Sequence, residues 1–234
     1  IENMKARQID GLILAAARRK DPIVNDCIEE GIPLVLVNRT VDNHNVAAVI
    51  NDDELGIELA LKHLIELGHR CIAYIGGPQN TSTGYTRYRT FLKMSKKFGL
   101  PVDRDLIANA KAYTEPAGQA ALEHIMGYEK KFTAILTAND LLALGCYDAM
   151  NERGLNCPMD ISVTGFNDMP YVDRFNPPLT TLHIPLDELG VQAALLLLER
   201  MQNPGALAKQ LRLAPRMVIR GSTTSPAENT PPNK

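Results

Sequence analysis

No stretch of this 234-residue chain approaches the roughly eighteen consecutive apolar residues of a membrane-spanning helix. The first residues, IENMKARQID, lack the basic start and apolar centre of a secretory leader, which points to a cytoplasmic protein. Excess charge is also scarce: a formal charge of -2 and an isoelectric point near 6.2 create no long-range field to draw in a polyanion. The short basic clusters (Arg18, Arg19, Lys20; Lys96, Lys97; Lys130, Lys131) each adjoin an apolar periodic segment and read as solvated helix faces or ends. The chain by itself is therefore not expected to bind nucleic acid. Its four cysteines (Cys27, Cys71, Cys146, Cys157) share no CxxC spacing, and three fall in or beside apolar runs, as reduced structural thiols do.

Catalytic signatures are missing as well. Neither the glycine fingerprint of dinucleotide sites nor the phosphate-cradling Walker loop occurs, and Gly76 and Gly77 do not have their spacing. There is no GxSxG nucleophile elbow and no HExxH helix. The histidines (His44, His63, His69, His124, His183) are scattered, none pairing with another at metal-ligand spacing. No enzymatic activity, cofactor or metal is expected.

What is present is alternation. With 45% apolar and 22% charged residues the chain has the composition of a soluble globular protein, long enough for one large domain or two lobes. Extended runs occur at 9–15 (IDGLILA), 33–37 (PLVLV), 47–50 and 71–75, and one without polar alternation, such as 33–37, has the pattern of a strand covered on both faces. Between and after them lie helical patterns, among them 55–67, which places Ile57, Ala60, Leu61, Leu64 and Leu67 on one stripe closed by Gly68. Strands at 106–112 and 134–137 alternate with helices at 117–126 and 141–153, and the most apolar helix runs over 186–201. Residues 210–220 alternate like strands, with a turn at Pro215. The order predicts an α/β fold of parallel, doubly wound sheets, one set of units before about residue 70 and one after.

The stretch 161–189 organises the site. An apolar run ends in Asn167 and Asp168, a proline-studded loop follows (Pro170, Pro177, Pro178), and a second extended run leads to Pro185 at a helix start. Open α/β sheets present ligands beyond the carboxyl ends of their strands. Polar residues recur at five such ends: Asp52; Thr83 with Arg87; Tyr113; Asn139 with Asp140; Asn167 with Asp168. Thr83 and Arg87, four apart, share a helix face. A guanidinium fork, an amide, a hydroxyl and an aromatic face suit a small polyhydroxylated or carboxylated ligand. Each residue has a plainer reading, a helix-start Thr as a cap and a strand-end Asn as a turn; the recurrence is what favours a site.

The motifs IDGLILA, GIPLVLVNR, VINDDELG, HLIELGHRCIAYIGGP, STGYTRYRTF, TANDLLALGCYDAM, RGLNCPMDISVTGFNDM and NPPLTTLHIPLDELG together resemble the effector-binding core of the lactose-repressor/galactose-repressor (LacI/GalR) family of bacterial transcription regulators. The resemblance implies two doubly wound, periplasmic-binding-protein-like lobes of type I joined by three crossovers, near Arg70, Ile184 and Gly205. One lobe would take 1–69 and 185–205, the other 70–184 and 206–224, leaving a disordered tail at 225–234. It implies a sugar-like effector in the inter-lobe cleft, gripped by Arg87 with Thr83, stacked on by Tyr113 and contacted by Asn139 and Asn167, with Asp52 at the lobe junction. It also implies a homodimer that meets operator DNA only through an upstream helix-turn-helix domain absent from this chain. Three departures stand out. Asn167 replaces the family's usual Asp, Ile184 occupies a position that is often Gln, and the family's DNA-binding region and first N-lobe elements have no counterpart before Ile1, so that residues 1–8 read as the end of a helix. The alternative is a periplasmic sugar-binding protein of the same architecture.

Overall fold

The computed structural model describes residues 9–42, 46–203 and 205–227. The helical turns expected over 1–8 and the polar tail from 228 onward lie outside them. Chain contacts divide the protein into two units, the first being Ile1–Asp52, Gln79–Thr83 and Pro185–Ala214, the second Asp53–Pro78, Gly84–Ile184 and Pro215–Lys234.

The first unit is built on a four-stranded parallel sheet in the order β1 (Leu12–Leu14), β2 (Leu34–Val37), β3 (Ala47–Asn51), β9 (Gln210–Leu213). Alternate residues point to opposite faces. Val35, Ala47 and Val49 pack on Leu189, Ala193 and Leu196 of helix α6 (Leu186–Gln202). Leu34, Leu36 and Ala48 pack on Val24 and Cys27 of helix α1 (Pro22–Glu29). Helix α1 starts where the sequence signals a start: the Asp21 carboxylate accepts from the Ile23 amide, and Pro22 occupies the first helical position, where no amide hydrogen is needed.

The second unit repeats the plan. Its parallel sheet runs β5 (Ile107–Asn109), β4 (Ile72–Gly76), β6 (Ala134–Thr137), β7 (Ser162–Thr164). Helices α2 (Asp53–Glu66) and α3 (Ser82–Lys97) cover one face through Ile57, Leu61, Leu64 and Phe91 against Ile72, Tyr74 and Leu136. Helices α4 (Glu115–Met126) and α5 (Asp140–Glu152) cover the other through Leu122, Ile125, Leu142 and Cys146 against Ala73, Ile75, Ile135 and Val163. A short antiparallel pair, β8 (Thr181–His183) with β10 (Arg216–Val218), completes it.

Two expectations are corrected. Helix α2 belongs with the second unit, not the first, because its apolar stripe is buried against β4 and β6. The two strands either side of Pro215 part company: β9 is hydrogen-bonded to β3 in the first unit, whereas β10 pairs with β8 in the second. The chain therefore changes unit after Asp52 and Ala214, where the resemblance places the crossovers near Arg70 and Gly205.

Candidate functional site

The carboxyl edge of the second unit's sheet gathers four of the six candidate residues around one guanidinium. Arg87, on the second turn of α3, is 2% exposed. Its Nε and Nη2 both donate to Asp53 Oδ1, at 2.9 and 2.8 Å, and its Nη1 donates to the carbonyl of Ala138. Its Cζ lies 3.6 Å from the centre of the Phe166 ring. Burial works against its charge, but the Asp53 carboxylate and neighbouring Tyr113 outweigh that and hold the guanidinium more firmly protonated than usual. Ala138 and Phe166 immediately precede Asn139 and Asn167, so the fork sits against the ends of both β6 and β7.

Two glycines make the close approaches. A side chain at Gly56 would place its Cβ 2.5 Å from the Phe166 ring, so α2 leaves room for the platform beneath Arg87. At Gly77, just past β4, a Cβ would fall 2.2 Å from the Tyr113 ring, which lies over the bare backbone there. Tyr113 is thus a ring packed closely against the Gly77 backbone at the end of β4.

Asn139 is a helix cap as well as a candidate contact: its side chain accepts from the Leu142 amide at 2.9 Å, which commits Oδ1 and leaves the amide nitrogen as donor. Asn167 has φ of +116° and is fixed through its backbone, its amide donating to the Leu182 carbonyl at 2.8 Å. Next to it Asp168, at φ +58°, accepts from Arg220 Nη2 at 2.7 Å and contacts His183 Nδ1 at 3.0 Å. That brace holds a turn in the left-handed region, which Asn and Asp tolerate better than other side chains. Asp140, wholly buried behind the edge, accepts from Thr181 Oγ1 at 2.5 Å and from the Met169 amide at 2.8 Å. Burial raises its carboxyl to about 6 despite those hydrogen bonds.

The other two candidates, Asp52 and Thr83, belong to the first unit. Asp52 extends β3, its amide donating to the Leu213 carbonyl at 2.9 Å. Thr83 is 3% exposed, with its hydroxyl 3.3 Å from that of Thr81. The carboxylate that meets Arg87 is Asp53, the residue after Asp52. Asp53 and Phe166 were missed by the sequence reading, though the Asp-Asp pair at a helix start was the signal for the first. Tyr74 was also missed: its ring is stacked on Phe91, and its buried hydroxyl has no hydrogen-bond partner among the described residues. Among the described residues no His, Cys, Asp or Glu cluster could hold a metal ion, and no helix is long and apolar enough to cross a membrane.

Residues 61–223 match the family model described as periplasmic binding protein-like domain. Over 224 residues the chain is 32% identical to the HTH-type transcriptional repressor PurR of Histophilus somni, covering 95% of this chain and 67% of that one. Among solved structures, the transcriptional regulator CelR in complex with cellobiose superposes with a TM-score of 0.89 at 28% identity, over 94% of this chain and 68% of CelR. The lac repressor dimer bound to operator and the anti-inducer ONPF gives 0.85 at 26% identity, over 95% and 66%. The chain thus spans about two-thirds of the length of these regulators. The matched relatives are transcriptional repressors and regulators, not enzymes. With this fold and this strand-end site, the chain belongs to the LacI family of transcriptional regulators, of which it carries the periplasmic-binding-protein-like effector-binding core.

Proposed function

We propose that this core senses a sugar-like small molecule at the carboxyl edge of the β5-β4-β6-β7 sheet and thereby changes the operator affinity of a cytoplasmic, homodimeric repressor. The observation that carries the reading is the Arg87 fork, held by Asp53 and Phe166 against the ends of two strands that continue into Asn139 and Asn167. Tyr113 supplies the flat apolar face that a sugar ring requires. The cellobiose complex of CelR supports a carbohydrate effector, and the operator-bound lac repressor dimer supports dimeric action on DNA. Effector binding alters operator affinity only through different affinities for two states of the protein, so the response is a shift between them. The periplasmic sugar-carrier alternative finds less support, since the matched relatives are repressors.

The test is a thermal-shift screen of neutral mono- and disaccharides, cellobiose included, followed by calorimetry on Arg87→Lys. A true effector at a hundred times its Kd adds roughly 2.7 kcal/mol of apparent stability. Lysine keeps the charge opposite Asp53 but loses the planar fork, so affinity is expected to fall about tenfold or more. Binding of every sugar at blank level, or unchanged affinity in the lysine variant, overturns the reading.

A further inference from the structure

The pairing of Arg87 with Asp53 bears on what the site accepts, and this step rests on the effector site proposed above. A guanidinium has five N–H donors. Three are committed: Nε and one hydrogen of Nη2 to Asp53, one hydrogen of Nη1 to the Ala138 carbonyl. Each terminal nitrogen keeps one hydrogen, so two donors remain for a ligand's oxygens. The charge behind those donors is already balanced. The side chains of Arg87 and Asp53 are 3% and 10% exposed, so solvent screens the pair little and neither charge is easily diverted. Asp53 is fixed from its own side too, as the first residue of α2, where the helix dipole favours a carboxylate.

We infer that Asp53 is a specificity-determining residue: by neutralising Arg87 it commits the site to uncharged, hydroxyl-bearing effectors and turns away phosphate- or carboxylate-bearing ones. An approaching hydroxyl pair meets two good donors and no net charge. An approaching anion meets the same donors but also the Asp53 carboxylate, 2.8 Å behind them. With the guanidinium's charge already balanced at 2.8 Å, an anion gains little net attraction to offset the loss of its own hydration, a discrimination of roughly tenfold or more against it.

Asp53→Asn tests this, because the amide oxygen still accepts from Nε and Nη2 while the balancing charge is gone. The probes are inorganic phosphate against chloride at matched ionic strength, and glucuronate against glucose, read by thermal shift and calorimetry. The wild-type protein is expected to show no phosphate-specific shift. Asp53→Asn should gain a saturable shift with phosphate and favour glucuronate over glucose by at least tenfold more than the wild type does. The double variant Asp53→Asn, Arg87→Gln should lose the phosphate response again. A phosphate response of equal size in the wild type, none in a folded Asp53→Asn, or one that persists in the double variant overturns the assignment. Should Asp53→Asn fail to fold in chloride, rescue of folding by phosphate supports it and no rescue overturns it. The two readings fail separately: phosphate gained without any sugar bound by the wild type removes the sugar reading alone, and normal sugar binding with no gain of phosphate removes the role of Asp53 alone.

Discussion

The two units share a plan and differ in how completely it is filled. In the second, all five residues of β4 are buried, with helix layers on both faces of the sheet. In the first, β1 forms the edge, Ile13 is 42% exposed, and α6 shows Val191, Leu195 and Leu198 at 54%, 55% and 53%. Residues 9–15 and 71–75 nevertheless look alike in sequence, both reading as buried parallel strands. An apolar run states that a strand prefers cover; it does not state whether the cover is there.

The sharpest way to break the comparison is to cut the same kind of side chain from each sheet. Leu136, 1% exposed on β6, contacts the layer formed by α2 and α3, and Leu136→Ala should cost about 2 to 5 kcal/mol of stability through lost transfer energy and a cavity. Ile13→Ala removes a side chain that still meets solvent and should cost about 1 kcal/mol or less. Urea unfolding of both variants checks this. Equal losses would mean that Ile13 is buried in solution and that the contrast between the units is false.

A second test concerns the polar groups that the better-filled unit buries. Asp140 holds its proton up to about pH 6 in the folded state, against an ordinary value of 3.8 for an exposed aspartate. The folded state therefore binds more protons between those values, and stability falls as pH rises through that window: the contribution is fully present below the unfolded pKa and gone above the folded one. The difference is of the order of 3 kcal/mol. Subtracting the pH dependence of Asp140→Asn from that of the wild type, by denaturant titration from pH 3.5 to 7, should recover this slope. A difference curve that is flat, or that rises with pH, would show that burial does not govern this carboxyl.

How far the site was legible follows from the same physics. The alternation of elements and the strand-end positions of Arg87, Asn139 and Asn167 were readable, because strand ends and helix starts carry local signals. At Asn139 the plainer reading holds, since it caps α5 while standing at the edge. Asp53 carried a signal but an ambiguous one, because an Asp-Asp pair where a strand gives way to a helix does not say which one faces the arginine. Phe166 read as strand core and Tyr74 as part of an apolar run; only the packed structure places one under a guanidinium and leaves the other's hydroxyl unpaired. The unit boundary was misplaced for a related reason: a helix stripe states that it needs a partner, not which sheet supplies it.

That unpaired hydroxyl gives the smallest effect and the finest test of the comparison, since a tightly filled unit should tolerate few such groups. The Tyr74 ring sits between β4 and α3, stacked on Phe91 at 4.5 Å between centroids and tilted against Tyr88 at 6.2 Å. Burial drives its ionisation far above the ordinary phenol range, so the group is a neutral hydroxyl under any ordinary condition. In water that hydroxyl would be hydrogen-bonded; here folding buries it, and the described residues offer no partner in return. Tyr74→Phe removes the oxygen and keeps the ring, its stacking and its contacts with Ile57 and Leu136. The variant should be more stable than the wild type by about 1 kcal/mol. For a chain of this size that raises Tm by roughly 2 to 4 °C. Tyr128→Phe, at a residue 45% exposed, serves as the control and should leave Tm nearly unchanged. A fall in stability of Tyr74→Phe would mean that the hydroxyl has a partner in solution, and that the second unit is filled more completely than the packing around Tyr74 shows.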